Sequence, residues 1–436
     1  MTTDRLSEVP VEGRCTDFGG VRHGRPDTVL VTGSGSGEAQ ALMTSLGRRG
    51  APVTLRGAGH SCDGQTVTDG TLLEHYRPDE PARAHVVDRE DGLIEVPAWL
   101  SWHQLERELN DRGRAIPVLT DYLHLSVGGT LSVGGMGLNS VEHGLQTDQV
   151  AAVRLVDGYG TPRWCSLTDH PELLRFALGG LGSLGLIDRV ILHTVPYQRY
   201  AHLHRTKHAS FADLTRFALS VTAEKGESKP VQHYNAYVSG DQLHSEYGWF
   251  QAEAPAHCGQ PGCTVVEDLP FALHNRRRDW IAAFPHHLRM WTDYVLPPEQ
   301  FGEFAETVDA LRSQSPLASH LKAMYVLIIR RPADAVPFAF APTQHRKALG
   351  VGLYIMADKR DPTAIGSIRR TLRRLLTTCC DLGGRPYLYG VNPLTPELLK
   401  RLYGADLDRL RILRSTYGLH HINARVWPHE SAGDCK

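Results

Sequence analysis

The chain has 436 residues, a net charge of −1, 41% hydrophobic residues and 22% charged ones. That length exceeds one ordinary hydrophobic core, so two domains are expected. A neutral chain of this composition is globular and has no bulk attraction for nucleic acid or an anionic membrane, which excludes partners recruited by charge alone.

The first residues carry Asp4, Glu8 and Glu12 and no apolar run, so no secretion signal is expected and the cytoplasm is the default compartment. Residues 29–31 read as a strand and 38–49 as a helix. The glycines at 33, 35 and 37 between them could cradle a phosphate, but the GxGxxG spacing is not met. A turn with Ser36 as N-cap and Glu38 on the helix dipole is the expectation. Residues 52–55 form the next strand, which runs into Arg56-Gly57-Ala58-Gly59-His60-Ser61. Two glycines in three residues let the backbone turn sharply and bring bare N–H groups to a ligand, with His60 and Ser61 at the exit.

A helix over 99–111 follows, stopped by Gly113. The apolar stretch 119–137 contains Gly128, Gly129, Gly134, Gly135 and Gly137. Such a bare backbone suits either a large flat ligand or a tightly packed buried loop. Residues 150–156 alternate as a strand, 171–176 begin a helix, 178–187 form another glycine-rich apolar run, and 189–195 are a strand. From Tyr197 the glycine-rich runs disappear. Strands over 233–238 and 323–329 alternate with amphipathic helices over 297–311 and 364–379, which predicts an antiparallel sheet covered by helices. The longest apolar run, 324–329, is far too short for a bilayer and reads as a buried strand. A last helix is predicted over 395–403. The eight cysteines are scattered. Cys258 and Cys263 beside His257 could bind zinc, but half of a four-ligand site is missing and a surface loop with free thiols is expected.

Five motifs occur in order: Asp17-Phe-Gly-Gly20, Arg56-Gly-Ala-Gly-His-Ser61 with Gly64-Gln65, Thr120-Asp-Tyr-Leu123, Ser126-Val-Gly-Gly-Thr-Leu-Ser132, and Gly179-Gly-Leu-Gly182 with Gly185-Leu-Ile187. Together they resemble the signature of cytokinin dehydrogenases, in the FAD-linked oxidase superfamily of vanillyl-alcohol oxidase and p-cresol methylhydroxylase (PCMH). The resemblance is strongest over 15–196 and continues through Trp291-Thr-Asp-Tyr-Val-Leu-Pro297 and Gly383-Gly-Arg-Pro-Tyr-Leu388. It implies an α+β fold. A PCMH-type FAD-binding domain would span 1–196, a substrate-binding domain 197–384, and a C-terminal segment, 385–436, would return to the first domain.

The same resemblance implies FAD on a single covalent 8α bond to His60. Leu55, Arg56, Gly57, Ala58, Gly59, Ser61 and Gln65 would hold its pyrophosphate. Ser126, Gly129, Ser132, Met136 and Ile187 would border it, and Asn423 would reach the flavin. The aspartate of Thr-Asp-Tyr-Leu takes a proton from substrate in that family, which puts the role on Asp121, in a partly desolvated pocket. Without the motif, a lone aspartate before a turn reads as a cap. Relatives with a second flavin link carry a cysteine where this chain has His124, so one bond is expected. His124 is then a second active-site group or a packing residue. Trp291 is a further candidate for the substrate pocket. Asn235 stands where the family has an acidic residue that contacts substrate, and an asparagine cannot supply that charge. The family's terminal Pro-Gly-Gln is absent.

The expected activity is removal of a hydride from a C–N or C–O bond of a small molecule, with O2 or another electron acceptor and no metal, nucleic acid or membrane. The Arg-, Ala- and Gly-rich usage fits specialised metabolism in a high-GC bacterium by analogy. Cytokinin dehydrogenase proper and a redox-inactive flavin-binding protein are the alternatives. A peptidoglycan-precursor reductase is disfavoured, because that type is expected to lack the Gly-His-Ser histidine.

Overall fold

The structure is a computed structural model that describes residues 15–32, 35, 37–50, 52–78, 80, 84–223, 231–240, 242–255, 262–424 and 426–427. It is a mixed α+β fold. The helix Glu38–Arg49 forms where its pattern predicts. Ala39, Leu42, Met43 and Leu46 bury one stripe, and Glu38 and Arg48 sit at the dipole ends that suit their charge. Gly50, with φ 61°, closes the helix by donating to the Leu46 carbonyl. Gly37 occupies the N-cap; Ser36, expected there, lies outside the described residues. The helix links two strands, Thr28–Val31 and Val53–Arg56, which flank Thr71–Glu74 in a small parallel sheet.

A five-stranded antiparallel sheet follows, in the order Pro162–Ser166, Val150–Val156, Leu186–His193, Leu93–Pro97 and His85–Asp88. The helix Trp102–Asn110 starts three residues later than its pattern predicts. Leu100 closes a turn on Pro97, and Ser101 forms a capping box with Gln104.

The expected antiparallel sheet is present and large. Its path runs Cys263–Glu267, Tyr200–Lys207, Gln242–Gln251, His233–Ser239, Leu321–Arg330, Lys347–Asp358, Thr292–Leu296 and Arg385–Pro386, with His287–Arg289 beside Lys347–Asp358. Every pairing in it is antiparallel. The apolar run 324–329 is a central strand, buried as its composition demands. The helices Phe211–Ala223, Pro298–Arg312 and Pro362–Asp381 pack on the sheet and on one another.

The last helix, Pro396–Thr416, runs well past its expected end because Leu410 and Leu413 continue its buried stripe. The chain beyond it returns to the small parallel sheet: the Val53 N–H donates to the His421 carbonyl and the Asn423 N–H to the Val53 carbonyl, each at 2.8 Å. Buried residues from Leu30 to Trp427 join in one cluster, which crosses the expected boundary at 196. Cys263 is disulfide-bonded, which corrects the expectation of a loop of free thiols; His257 and Cys258 lie outside the described residues. No helix among the described residues is long and apolar enough to cross a membrane.

Candidate active site

The strand Val53–Arg56 delivers the turn 57–61, and two contacts fix its shape. Gly59 has φ +68°, open to glycine at little cost. A Cβ on Gly57 would stand 2.1 Å from Ser126 Oγ, so the turn and the loop at 126–129 meet backbone to side chain with no room to spare. Asp17 pins the exit. Its carboxylate accepts from the Gly20 N–H at 3.2 Å, the Gly64 N–H at 2.5 Å and Ser61 Oγ at 3.2 Å. Burial nevertheless pushes its pKa up to about 6. The adjacent Phe18 stacks on the His60 ring at 3.8 Å, and Tyr122 stacks on His60 at 5.0 Å. Burial, reinforced by the charges of Arg289 and Arg277, lowers the His60 pKa to about 3, so the imidazole is neutral near pH 7.

The loop carrying Asp121 and Tyr122 is pinned at its far end by bonds from Trp102 N–H to the Leu125 carbonyl and from His103 N–H to the Leu123 carbonyl. Ser126 then caps the short helix Val127–Leu131. These loops and the run 179–187 form one wall of a cleft enclosing about 1310 Å³ of space between atoms, part of it open to solvent. Sixteen of the residues singled out by sequence line it: Leu55, Arg56, Gly57, Ala58, Gly59, His60, Ser61, Gln65, Asp121, Ser126, Gly129, Ser132, Met136, Ile187, Trp291 and Asn423. Two of them also serve as struts. Gln65 donates to the carbonyls of Leu388, Tyr389 and Gly390 and accepts from Asp63 N–H, so its amide is already engaged. Asn423 accepts from Leu55 N–H at 2.8 Å and donates to the carbonyls of Leu181 and Gly182.

Two expected pocket residues stand outside the cleft wall. Asn235 lies on His233–Ser239 opposite Glu246, with the Tyr237 side chain as its polar neighbour. His124 packs behind Tyr122 against His103 and His274, with ring centroids 4.8 and 4.5 Å away. Nitrogen atoms of these three histidines lie within 4.8 Å of one another. His274 Nδ1 accepts from Leu123 N–H at 3.0 Å, so its ring proton sits on Nε2 and that nitrogen offers no lone pair. We therefore read the cluster as packing, not as a metal centre.

Asp121 has a charged partner that the sequence does not name. Its side chain is 34% exposed and is held by the buried Arg277 through Nε at 2.7 Å and a second nitrogen at 2.5 Å. Arg277 also donates to Tyr354 Oη at 2.9 Å and lies 4.2 Å from the Tyr354 ring centre. Burial works against the charge on Arg277, but Asp121 opposite it raises its pKa, so the guanidinium stays charged. Sequence reasoning missed Arg277, which lies on the helix Leu269–Ala282 with no motif around it. Of the cleft's aromatic end, where Trp291, Tyr325, Tyr354, Tyr387 and Tyr389 converge, it named only Trp291. Trp291 Nε1 is buried there without a hydrogen-bond partner, a donor placed for a ligand acceptor.

A family model described as an FAD binding domain matches residues 28–166. The chain is 37% identical over 406 residues to the uncharacterized oxidoreductase ORF5 in the fasciation locus of Rhodococcoides fascians, covering 87% of this chain and 88% of that protein. It is 32% identical over 216 residues to Cytokinin dehydrogenase 1 of Oryza sativa subsp. japonica, covering 49% of this chain and 40% of that protein. Against Cytokinin dehydrogenase 8 of Oryza sativa subsp. indica the identity is 37% over 299 residues, 64% of this chain and 56% of that protein. The cleft suits FAD: the glycine-bearing turns at 57–59 and 128–129, a neutral histidine and a ring-lined end stand along it.

Proposed function

The chain belongs to the FAD-linked oxidase superfamily, on its cytokinin dehydrogenase-like branch, and from that premise we propose that it oxidises a C–N or C–O bond of a small molecule with Asp121 as proton acceptor and FAD bonded to His60. That it is an oxidoreductase of the FAD-linked class follows from its relatives. The observation that carries the finer reading is the row His60, Tyr122, Asp121 along one cleft, with a neutral imidazole at one end and a carboxylate at the other.

Bound FAD supplies the hydride acceptor. The protein's part is to hold the substrate and take the proton that leaves with the hydride. Phe18 and Tyr122 clamp the His60 ring, and its low pKa keeps a lone pair available for a covalent bond. Arg277 orients the Asp121 carboxylate and keeps its charge balanced. Trp291 and the four tyrosines offer flat apolar surface and a free N–H, which suits a planar heteroaromatic substrate. With relatives named cytokinin dehydrogenases, an N6-isoprenoid adenine is the first compound to try.

Purified protein is expected to be yellow and to keep its colour on the acid-precipitated chain, whereas His60→Ala should release any flavin it holds. Flavin set free by acid from the wild type would remove the covalent bond from this reading. Anaerobic mixing with a panel of amines, alcohols and isopentenyladenine, followed by flavin bleaching, tests the activity. A redox-inactive flavin carrier would bleach with none of them.

A further inference from the structure

Behind the aromatic end of the cleft lies a carboxylate that the mechanism above does not use. Asp293, on Thr292–Leu296, is 0% exposed. In the sheet register it stands opposite Gly352, and Gly352 stands opposite Tyr325 on the next strand. Directly paired residues share a face, so Asp293, Gly352 and Tyr325 form a row across three strands. The middle member has no side chain. A Cβ there would stand 2.1 Å from Tyr325 Cε1 and 2.4 Å from Asp293 Oδ1. Across this gap Tyr325 Oη donates to Asp293 Oδ1, while Asp293 Oδ2 has no hydrogen-bond partner. Tyr325 itself lines the cleft, with its ring 5.3 Å from that of Tyr354, which in turn binds Arg277. An enclosed carboxylate joined to the cleft by the Tyr325 hydroxyl, with the Tyr389 hydroxyl also acting on it, is arranged to take up a proton.

We propose that Asp293 is a second proton-holding group of this site and acts through Tyr325. One proton leaves per turnover; where it does not go to Asp121, the departing N–H or O–H proton of the substrate passes to Tyr325 Oη as the Tyr325 hydroxyl proton passes to Asp293 Oδ1. One O–H bond forms and one breaks at Tyr325, and the carboxylate ends as a neutral acid. The proton then leaves after product. Tyr325 is the catalytic group in this scheme, and Asp293 is a positioning residue behind it. Burial supports the assignment: it raises the Asp293 pKa to about 7, with the Tyr325 and Tyr389 hydroxyls pulling the other way. The carboxyl therefore changes protonation near neutral pH.

The proposal rests on the oxidoreductase reading, but its first test needs no substrate. Infrared titration of the purified flavoprotein should show a buried carboxyl group with a midpoint near neutral pH. It should vanish in Asp293→Asn, return in Asp293→Glu, and move to higher pH in Tyr325→Phe, where the charged form loses its donor. The second test is the rate of flavin bleaching by isopentenyladenine against pH. Asp293→Asn should flatten the neutral limb of that profile and slow the rate there by about twofold or more, leaving the route to Asp121. A titration unchanged in Asp293→Asn, or a pH profile that superimposes on wild type, overturns the proposal. Failure of isopentenyladenine to bleach the wild type counts against the substrate reading alone, and the infrared result still decides the role of Asp293.

Discussion

In the proposed mechanism the Asp121 carboxylate both balances Arg277 and accepts a proton. Arg277 is 8% exposed in its side chain and makes planar contacts with Asp121 and Tyr354 together. Lysine cannot reproduce that fork, so Arg277→Lys is expected to leave the fold intact and to slow flavin bleaching by about tenfold or more. Asp121→Asn should do more. It removes the proposed acceptor and leaves a buried cation without its counter-charge, at a cost of about 1–3 kcal/mol, less than for a fully buried pair because Asp121 is one-third exposed. Rapid-mixing spectroscopy and denaturant melts separate the two effects. An Asp121→Asn protein that bleaches at the wild-type rate would shift the proton-accepting role elsewhere.

At the scale of elements, the cleft depends on two segments touching at Gly57 and Ser126. Gly57→Ala should abolish flavin uptake, since the new methyl group would collide with Ser126 Oγ. The remaining neighbours, Ser126 Cβ at 3.4 Å and Gly129 Cα at 3.5 Å, are ordinary contacts. Adding Ser126→Ala to Gly57→Ala should therefore restore much of the yellow colour, a strongly non-additive pair. Flavin absorbance per protein decides this; loss of flavin in the double variant equal to that in Gly57→Ala would mean that the Gly57 backbone itself is the essential feature. These segments were legible in the sequence because their demands are local. A turn with positive φ or a close backbone approach requires glycine at that position, so the requirement is written where it acts. Element ends were less legible. The helix Trp102–Asn110 starts late because Ser101 finds Gln104, and Pro396–Thr416 runs long because its apolar stripe continues.

For the whole molecule, buried ionisable groups set how stability responds to pH. Burial lowers His75, His233 and His274 to about 4. Unfolded histidines bind protons near about pH 6.5, so below that pH the unfolded chain holds more protons and stability rises as pH rises toward it. Burial raises Asp17 to about 6, Asp293 to about 7 and Glu106 to about 8. There the folded state keeps protons that unfolded carboxyls release above about pH 4, so stability falls as pH rises through those values. The two slopes oppose each other, and stability is expected to peak near about pH 6.5. Denaturant midpoints measured over a pH series check this. Glu106→Gln should flatten the alkaline limb and steepen the rise on the acid side, because Glu106 opposes that rise from about pH 4 upward.

What the sequence by itself determined is the glycine-rich wall of the cleft. His60, the glycine turns, Ser126, Ser132 and Ile187 were all named from short motifs, and they meet in one cleft. The antiparallel character of the large sheet was readable too, from alternation between its helices. Only the tertiary structure decided the opposite wall. Arg277 reaches Asp121 from 156 residues away, and Tyr325 reaches Asp293 across a glycine on a third strand. It also removed Asn235 and His124 from the cleft wall and tied off Cys263. The physical reason is the same in each case. A turn's chemistry is fixed by its own residues, whereas a charge pair or a cross-strand bond is fixed by register and packing, which no short window of sequence contains.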